Sequence, residues 1–305
     1  MVDAYIKLTD ELSAQAHRHP FAAAGLIVAL AVILALLVDS IINVSQTGDS
    51  FVLYALAGGT VGFVATTLGA VPALVLRKVK QSTTDIMLGF AAGMMLAAAA
   101  FSLLLPGIEA GQEITGSPAL SSLMVVGGMG LGVLLMFGLD RFMPHEHETA
   151  GVHGVGSDRL SRVWLFVMAM ALHNLPEGMA VGVGFSQGDM SVGVPLATAI
   201  ALQDIPEGLA VALALIAIGV KPLASIGIAA LGGFLEPVGA LIGVGLSSGS
   251  LYSYPIGLGI AGGAMLFVVS HEVIPETHRN GNQSLATTGL MAGFALMMVL
   301  DTTLG

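Results

Sequence analysis

The chain is written in long apolar stretches separated by short polar punctuation. Crossing a hydrocarbon core of about 30 Å takes roughly 20 apolar residues in helical form. Nine stretches meet that length approximately, at residues 21–38, 51–76, 87–105, 119–139, 163–183, 192–220, 223–246, 254–274 and 285–300. They lack the period-2 alternation of an outer-membrane barrel, so the pattern predicts a bundle of nine transmembrane helices. The connections are short except for the polar stretch 140–162, and none has room for a separate soluble domain. The first stretch follows Arg18, but its apolar run exceeds the usual 7–15 residues of a signal peptide and no A-x-A cleavage site follows, so a retained span is expected.

Composition supports this reading. Of 305 residues, 55% are hydrophobic and 10% charged, with mean hydropathy +0.89, whereas a soluble domain carries about 25% charged residues. The 41 glycines point to closely packed helices. A formal charge of −10 makes cations the expected partners and argues against nucleic acid. There are no cysteines, so a bound metal would need nitrogen, oxygen or thioether ligands.

The ten bases are Lys7, Arg18, Arg77, Lys78, Lys80, Arg141, Arg159, Arg162, Lys221 and Arg279, and a nine-span model places all of them on one side. Cytoplasmic loops collect Lys and Arg, so the N-terminus is expected in the cytoplasm and the C-terminus outside.

One motif is written twice within the spans. The fifth stretch contains His173-Asn174-Leu175-Pro176-Glu177-Gly178, and the sixth contains Gln203-Asp204-Ile205-Pro206-Glu207-Gly208. In each copy the first residue and the Glu stand four apart, one helical turn, and can converge on one ion. Proline lacks an N–H and frees the carbonyl of Leu172 or Leu202, while glycine admits a neighbouring helix. The seventh stretch adds Glu236-Pro237. By residue count these groups fall near the bilayer midplane, where each carboxylate costs on the order of 2.5–3.5 kcal/mol unless compensated. The spans supply no Lys or Arg for Glu177, Asp204, Glu207 and Glu236, which leaves protons and cations as compensators.

A lone Pro-Glu would be read as a structural kink, but two in-register copies and a third acid favour a cation site. A neutral imidazole at His173 suits a borderline-soft metal. Met95 reaches the same depth and reads either as core packing or as a thioether ligand. Nearer the membrane faces, Asp85, Asp140, His271, Glu272 and Glu276 read as a release path or as solvated helix ends. His145, Glu146, His147 and His153 lie in the polar loop, with metal sensing as the alternative to plain solvation. Asp301 closes the last span, where it would attract cations, while Glu109 and Glu113 read as ordinary loop acids. Neither His145-Glu146-His147 nor the run beginning His271-Glu272 fits the H-E-x-x-H motif of a metalloprotease, so no enzyme is expected.

The paired motif resembles that of the ZIP (Zrt/Irt-like) family of divalent-metal transporters, in its prokaryotic GufA-like branch. The resemblance covers about residue 51 to the C-terminus. It implies an all-α membrane protein whose eight-helix core, residues 51–305, is built on an inverted repeat. Residues 1–50 add a cytoplasmic tail and one extra transmembrane helix. It further implies a binuclear centre, with Met95, His173, Glu177 and Glu207 around one metal and Asn174, Glu177, Gln203, Asp204, Glu207 and Glu236 around the other. His145 and His147 resemble a His-bearing loop that is short here. On this resemblance the cargo is Zn²⁺, with Cd²⁺, Fe²⁺ or Mn²⁺ as substitutes and no catalytic cofactor, carried into the cytoplasm across the bacterial inner membrane. The expected partners are metal ions and lipid, with a homodimer as the candidate assembly. The rivals are a proton-coupled exporter and a fixed metal-selective channel.

Overall fold

The computed structural model describes residues 15–47, 51–76, 79–142, 145–147, 151–153, 162–188 and 190–304. The spans follow in order. Helix α1 (Pro20–Thr47) is the N-terminal span, and α2 (Phe51–Ala70) ends in a 3₁₀ turn. The third span joins α3 (Gln81–Ala97), a π-helical segment (Ala98–Leu104) and α4 (Leu105–Thr115), and α5 (Pro118–Phe142) is the fourth. The central pair is α6 (Arg162–Phe185) and α7 (Met190–Ala217). The seventh span is α8 (Pro222–Gly233) and α9 (Leu235–Ser247). The eighth joins α10 (Ser253–Val268), a second π segment (Val269–Val273) and α11 (Ile274–His278), and α12 (Gln283–Leu304) closes the chain.

Eight helical segments are long and apolar enough to cross a membrane among the described residues. Helix α6, which holds the fifth expected stretch, has 24 residues, about 36 Å at a rise of ~1.5 Å per residue. The long connection contains a short antiparallel pair, β1 (His145–His147) and β2 (Gly151–His153), with His145 opposite His153. Only the backbone of that pair is described. Lys7, Arg77, Lys78 and Arg159 lie outside the described residues.

Two expectations needed correction. The third span runs from Gln81 to Thr115, well beyond 87–105, so Glu109 and Glu113 are helical residues of α4 and not loop acids. Hydropathy falls at these acids while Pro106, in the first turn of α4, is well tolerated and lets the helix continue. The seventh span matches its expected stretch, running Pro222–Ser247, with a one-residue turn at Phe234 just ahead of Glu236-Pro237. His271 and Glu272 sit in a π segment within the eighth span, which continues through Pro275 to His278.

The helices pair in a pattern that repeats. Helix α2 packs on α7 as α9 packs on α6, and α3 packs on α12 as α10 packs on α5. Exchanging the first three core spans with the last three, and α6 with α7, converts one member of each comparison into the other. Both π segments are followed two residues later by proline, Pro106 and Pro275. This correspondence is the pairing that the expected inverted repeat would produce.

Glycine permits these pairings. Lipid offers no hydrophobic drive between helices, so contact must come from close backbone packing. A β-carbon on Gly93 or Gly289 would strike the backbone of α12 or α3, respectively. Gly132 and Gly263 stand in the same relation between α5 and α10, and Gly182 and Gly243 between α6 and α9. The outward faces stay apolar: Phe21, Leu123, Leu223 and Leu231 are all largely exposed. Helix α1 lies on α5 and α9, with Leu26 against Gly138 and Leu37 against Gly245.

Candidate metal centre

The duplicated motif faces inward on the central pair. His173, Asn174 and Glu177 on α6, Gln203, Asp204 and Glu207 on α7, and Glu236 in the first turn of α9 are all at most 4% exposed. The prolines sit inside α6 and α7 as expected. The turn at Phe234 places Glu236 at a helix start, where unpaired N–H groups and the helix dipole favour a carboxylate. Helix α9 comes close enough for this because a β-carbon on Gly178 would collide with the Glu236 backbone.

One oxygen from each of Glu177, Asp204 and Glu207 lies within 4.8 Å of the others. Gln203 Nε2 donates to Glu177 Oε1 at 2.5 Å, and Thr66 Oγ1 on α2 donates to Glu236 Oε1 at 3.0 Å. Asp204 and Glu236 meet over Gly62: a β-carbon there would lie 3.1 Å from Asp204 Oδ2 and closer still to Glu236 Oε2. Six buried oxygens then have no N–H or hydroxyl donor among the described residues: Asn174 Oδ1, Glu177 Oε2, Gln203 Oε1, both Asp204 oxygens and Glu236 Oε2, the Asp204 and Glu236 carboxyls lying within hydrogen-bond reach of each other.

These six oxygens are all acceptors. Four intramembrane acids without a base would together cost on the order of 10–14 kcal/mol, comparable with the net stability of a domain at about 5–15 kcal/mol. A divalent cation satisfies carboxylate, amide and imidazole lone pairs at once, and those donor types suit zinc and harder divalent ions. Met95, at 1% exposed, lies in the apolar core shared with Ala180 and Val181 of α6.

The remaining candidates divide into three places. Asp301 lines a cavity of about 360 Å³ together with Ser102, Glu109, Glu113, Ser191 and Tyr254. Ser102 Oγ donates to Asp301 Oδ1 at 2.6 Å. In the other half of the repeat His271 Nε2 is 3.6 Å from Asp140 Oδ1, and the imidazole rests on Phe267 with ring centroids 4.8 Å apart. Glu272 is half-buried beside it, and Glu276 is paired with Arg279 at 2.9 Å. Asp85 is separate: its buried carboxylate accepts from Gln81 Nε2 at 2.9 Å, Asn280 Nδ2 at 3.1 Å and Asn282 Nδ2 at 2.8 Å. His145 and His147 lie on β1, and their side chains fall outside what is described.

Sequence reasoning missed Gly62 and Thr66, whose residue types carry no metal signal. It also missed the shared cavity of Glu109 and Glu113. Their spacing of four on an unbroken helix was the available clue.

Comparison with known proteins accords with this geometry. Residues 144–301 match the family model described as ZIP Zinc transporter. The chain is 58% identical to Zinc transporter ZIPB of Bordetella bronchiseptica over 96% of this chain and 95% of that protein. It is 46% identical to Zinc transporter GufA of Myxococcus xanthus, covering 79% of this chain and 95% of the relative. With Zinc transporter ZupT of Corynebacterium glutamicum the identity is 33%, over 77% and 93%. A helical bundle with eight membrane-crossing candidates among the described residues, a duplicated acid motif at its centre and these matches together mean that the chain belongs to the ZIP family, whose members are transporters and not enzymes.

Proposed function

We propose that the protein carries Zn²⁺ across the bacterial inner membrane into the cytoplasm, with Cd²⁺, Fe²⁺ or Mn²⁺ as substitutes, through a two-metal centre on α6, α7 and α9. The observation that carries this reading is the convergence of four buried carboxylates, three of which keep oxygens with no N–H or hydroxyl donor among the described residues. Met95, His173, Glu177 and Glu207 form the softer half. Asn174, Glu177, Gln203, Asp204, Glu207 and Glu236 form the oxygen-rich half, with Glu177 and Glu207 bridging.

An ion enters over Asp301, Glu109 and Glu113, exchanges its water shell for Glu177, Glu207 and His173, and leaves past His271, Glu272, Asp140 and Asp85. The acids all belong to the group formed by α2, α6, α7, α8 and α9, whereas Met95 lies on α3. Sliding of the first group against the second would carry the ion, as alternating access requires. The one-sided bases support a cytoplasmic N-terminus and an outer C-terminus.

Metal flux into proteoliposomes, with and without an imposed pH gradient, tests the proposal. Saturable Zn²⁺ uptake that needs no pH gradient is expected. Flux that appears only against an opposing proton gradient would identify an exporter, and flux that never saturates would identify a fixed pore.

A further inference from the structure

We propose that Thr66 is a positioning residue that fixes Glu236 as a one-oxygen ligand of the oxygen-rich half of the centre; this rests on the metal-binding reading above. Thr66 is buried on α2, and its Oγ1 lies 3.0 Å from Glu236 Oε1 and 3.2 Å from the carbonyl of Gly62 one turn earlier. The hydroxyl engages Oε1 and leaves Oε2 without an N–H or hydroxyl donor among the described residues, leaning over Gly62 toward the carboxyl of Asp204.

The side chain has little freedom to do anything else. A β-carbon on Gly233 of α8 would lie 3.0 Å from Thr66 Cβ and 3.2 Å from its methyl, and one on Gly208 of α7 would strike the Thr66 backbone. Thr66 is therefore wedged between the helix that carries Asp204 and the helix that leads into Glu236. It also lines a small cavity with Asn174, Glu207 and Gly232, so it borders the cluster on two sides. A carboxylate held through one oxygen by a fixed hydroxyl presents the other in one direction, which is how outer partners orient metal ligands.

The test uses the full chain in lipid, with Zn²⁺ affinity measured by calorimetry beside uptake KM and maximal rate. Thr66→Val keeps the shape and removes the hydroxyl. It is expected to weaken Zn²⁺ binding in the oxygen-rich half about tenfold and to raise KM, since losing an outer partner typically costs about 10–100-fold in metal affinity. Thr66→Ser is expected to restore binding to within about twofold, and in a Glu236→Ala background Thr66→Val is expected to add less than about twofold. If the valine variant does not fold, Thr66→Ala replaces it in the same comparison. Equal losses on both backgrounds, a serine variant as weak as valine, or a valine variant that binds like the wild type would each overturn the proposal. Wild-type protein that binds no Zn²⁺ would overturn the metal-binding reading as well, whereas normal wild-type binding with an indifferent Thr66→Val defeats the positioning role alone.

Discussion

Ser102 donates to Asp301 at 2.6 Å, and the inverted repeat writes the same relationship again as His271 with Asp140 at 3.6 Å. Ser102 and His271 each lie in a π segment four residues before a proline, and Asp301 and Asp140 each lie near the end of the helix that packs alongside. The proline cannot donate to the carbonyl four residues back, and the widened π turn accommodates that loss. One polar pair results in each half, and only the pair at Asp301 opens into the cavity of Glu109 and Glu113.

That cavity gathers three acids, so it should raise the local cation concentration. Asp301→Asn is expected to raise the KM for Zn²⁺ uptake about threefold at low ionic strength with little change in maximal rate, and the difference should shrink as salt screens the field. Uptake kinetics at two salt concentrations check it. A salt-independent fall in maximal rate would assign Asp301 a different part.

Gly62 keeps open the space where Asp204 and Glu236 meet. Gly62→Ala should weaken Zn²⁺ binding by about tenfold or more, equivalent to about 1.4 kcal/mol, because the new carbon overlaps Glu236 Oε2. Gly127→Ala, whose added carbon meets nothing within 4 Å, should leave binding unchanged. Calorimetric titration of both variants makes the comparison, and equal behaviour would show that Gly62 has no bearing on the carboxylates.

Much of this arrangement was legible before any coordinates. Eight of the nine apolar stretches are helices long and apolar enough to cross a membrane and the remaining one is the helix α6, and the duplicated Pro-Glu-Gly motif pointed to α6 and α7 as the chemical centre, because an uncompensated acid in an apolar run stands out on cost alone. The turn at Phe234 was hidden because Gly232, Gly233 and Pro237 also occur inside intact membrane helices. Gly62 and Thr66 were hidden for a different reason: their roles arise from which helix lies opposite, and no residue type announces that. Glu109 and Glu113 were misread because hydropathy ends before their helix does.

Protons and metal compete for the same carboxylate and imidazole lone pairs, so lowering the pH must weaken metal binding. Zn²⁺ affinity is expected to fall at least about tenfold between roughly pH 7.5 and pH 5. Equilibrium binding across that interval checks the sign and size. A flat profile would argue against a centre built on Glu177, Asp204, Glu207 and Glu236.

Orientation has its own test. Ser250, between α9 and α10, and Ser284, at the start of α12, are exposed and lie on opposite sides in the nine-span topology. In intact cells Ser250→Cys should react with an impermeant thiol reagent and Ser284→Cys should not, on a chain that has no cysteine of its own. The reverse pattern would invert the direction assigned to the basic loops.

In the proposed two-metal centre Glu177 belongs to both metals and Asp204 to one. Glu177 stands beside His173 on α6, accepts from Gln203 of α7, and lies within 4.8 Å of both Asp204 and Glu207 through one oxygen each. Asp204 belongs to the same three-oxygen cluster and also faces Glu236 over Gly62, but it has no imidazole on its own helix turn. Anomalous diffraction from metal-soaked crystals of Glu177→Ala and Asp204→Ala, paired with flux assays on the same variants, separates the roles. Glu177→Ala should lose both ions and nearly all flux, whereas Asp204→Ala should keep one ion beside His173 and partial flux. An Asp204→Ala crystal with neither ion, or a Glu177→Ala protein with full flux, would contradict the bridged centre.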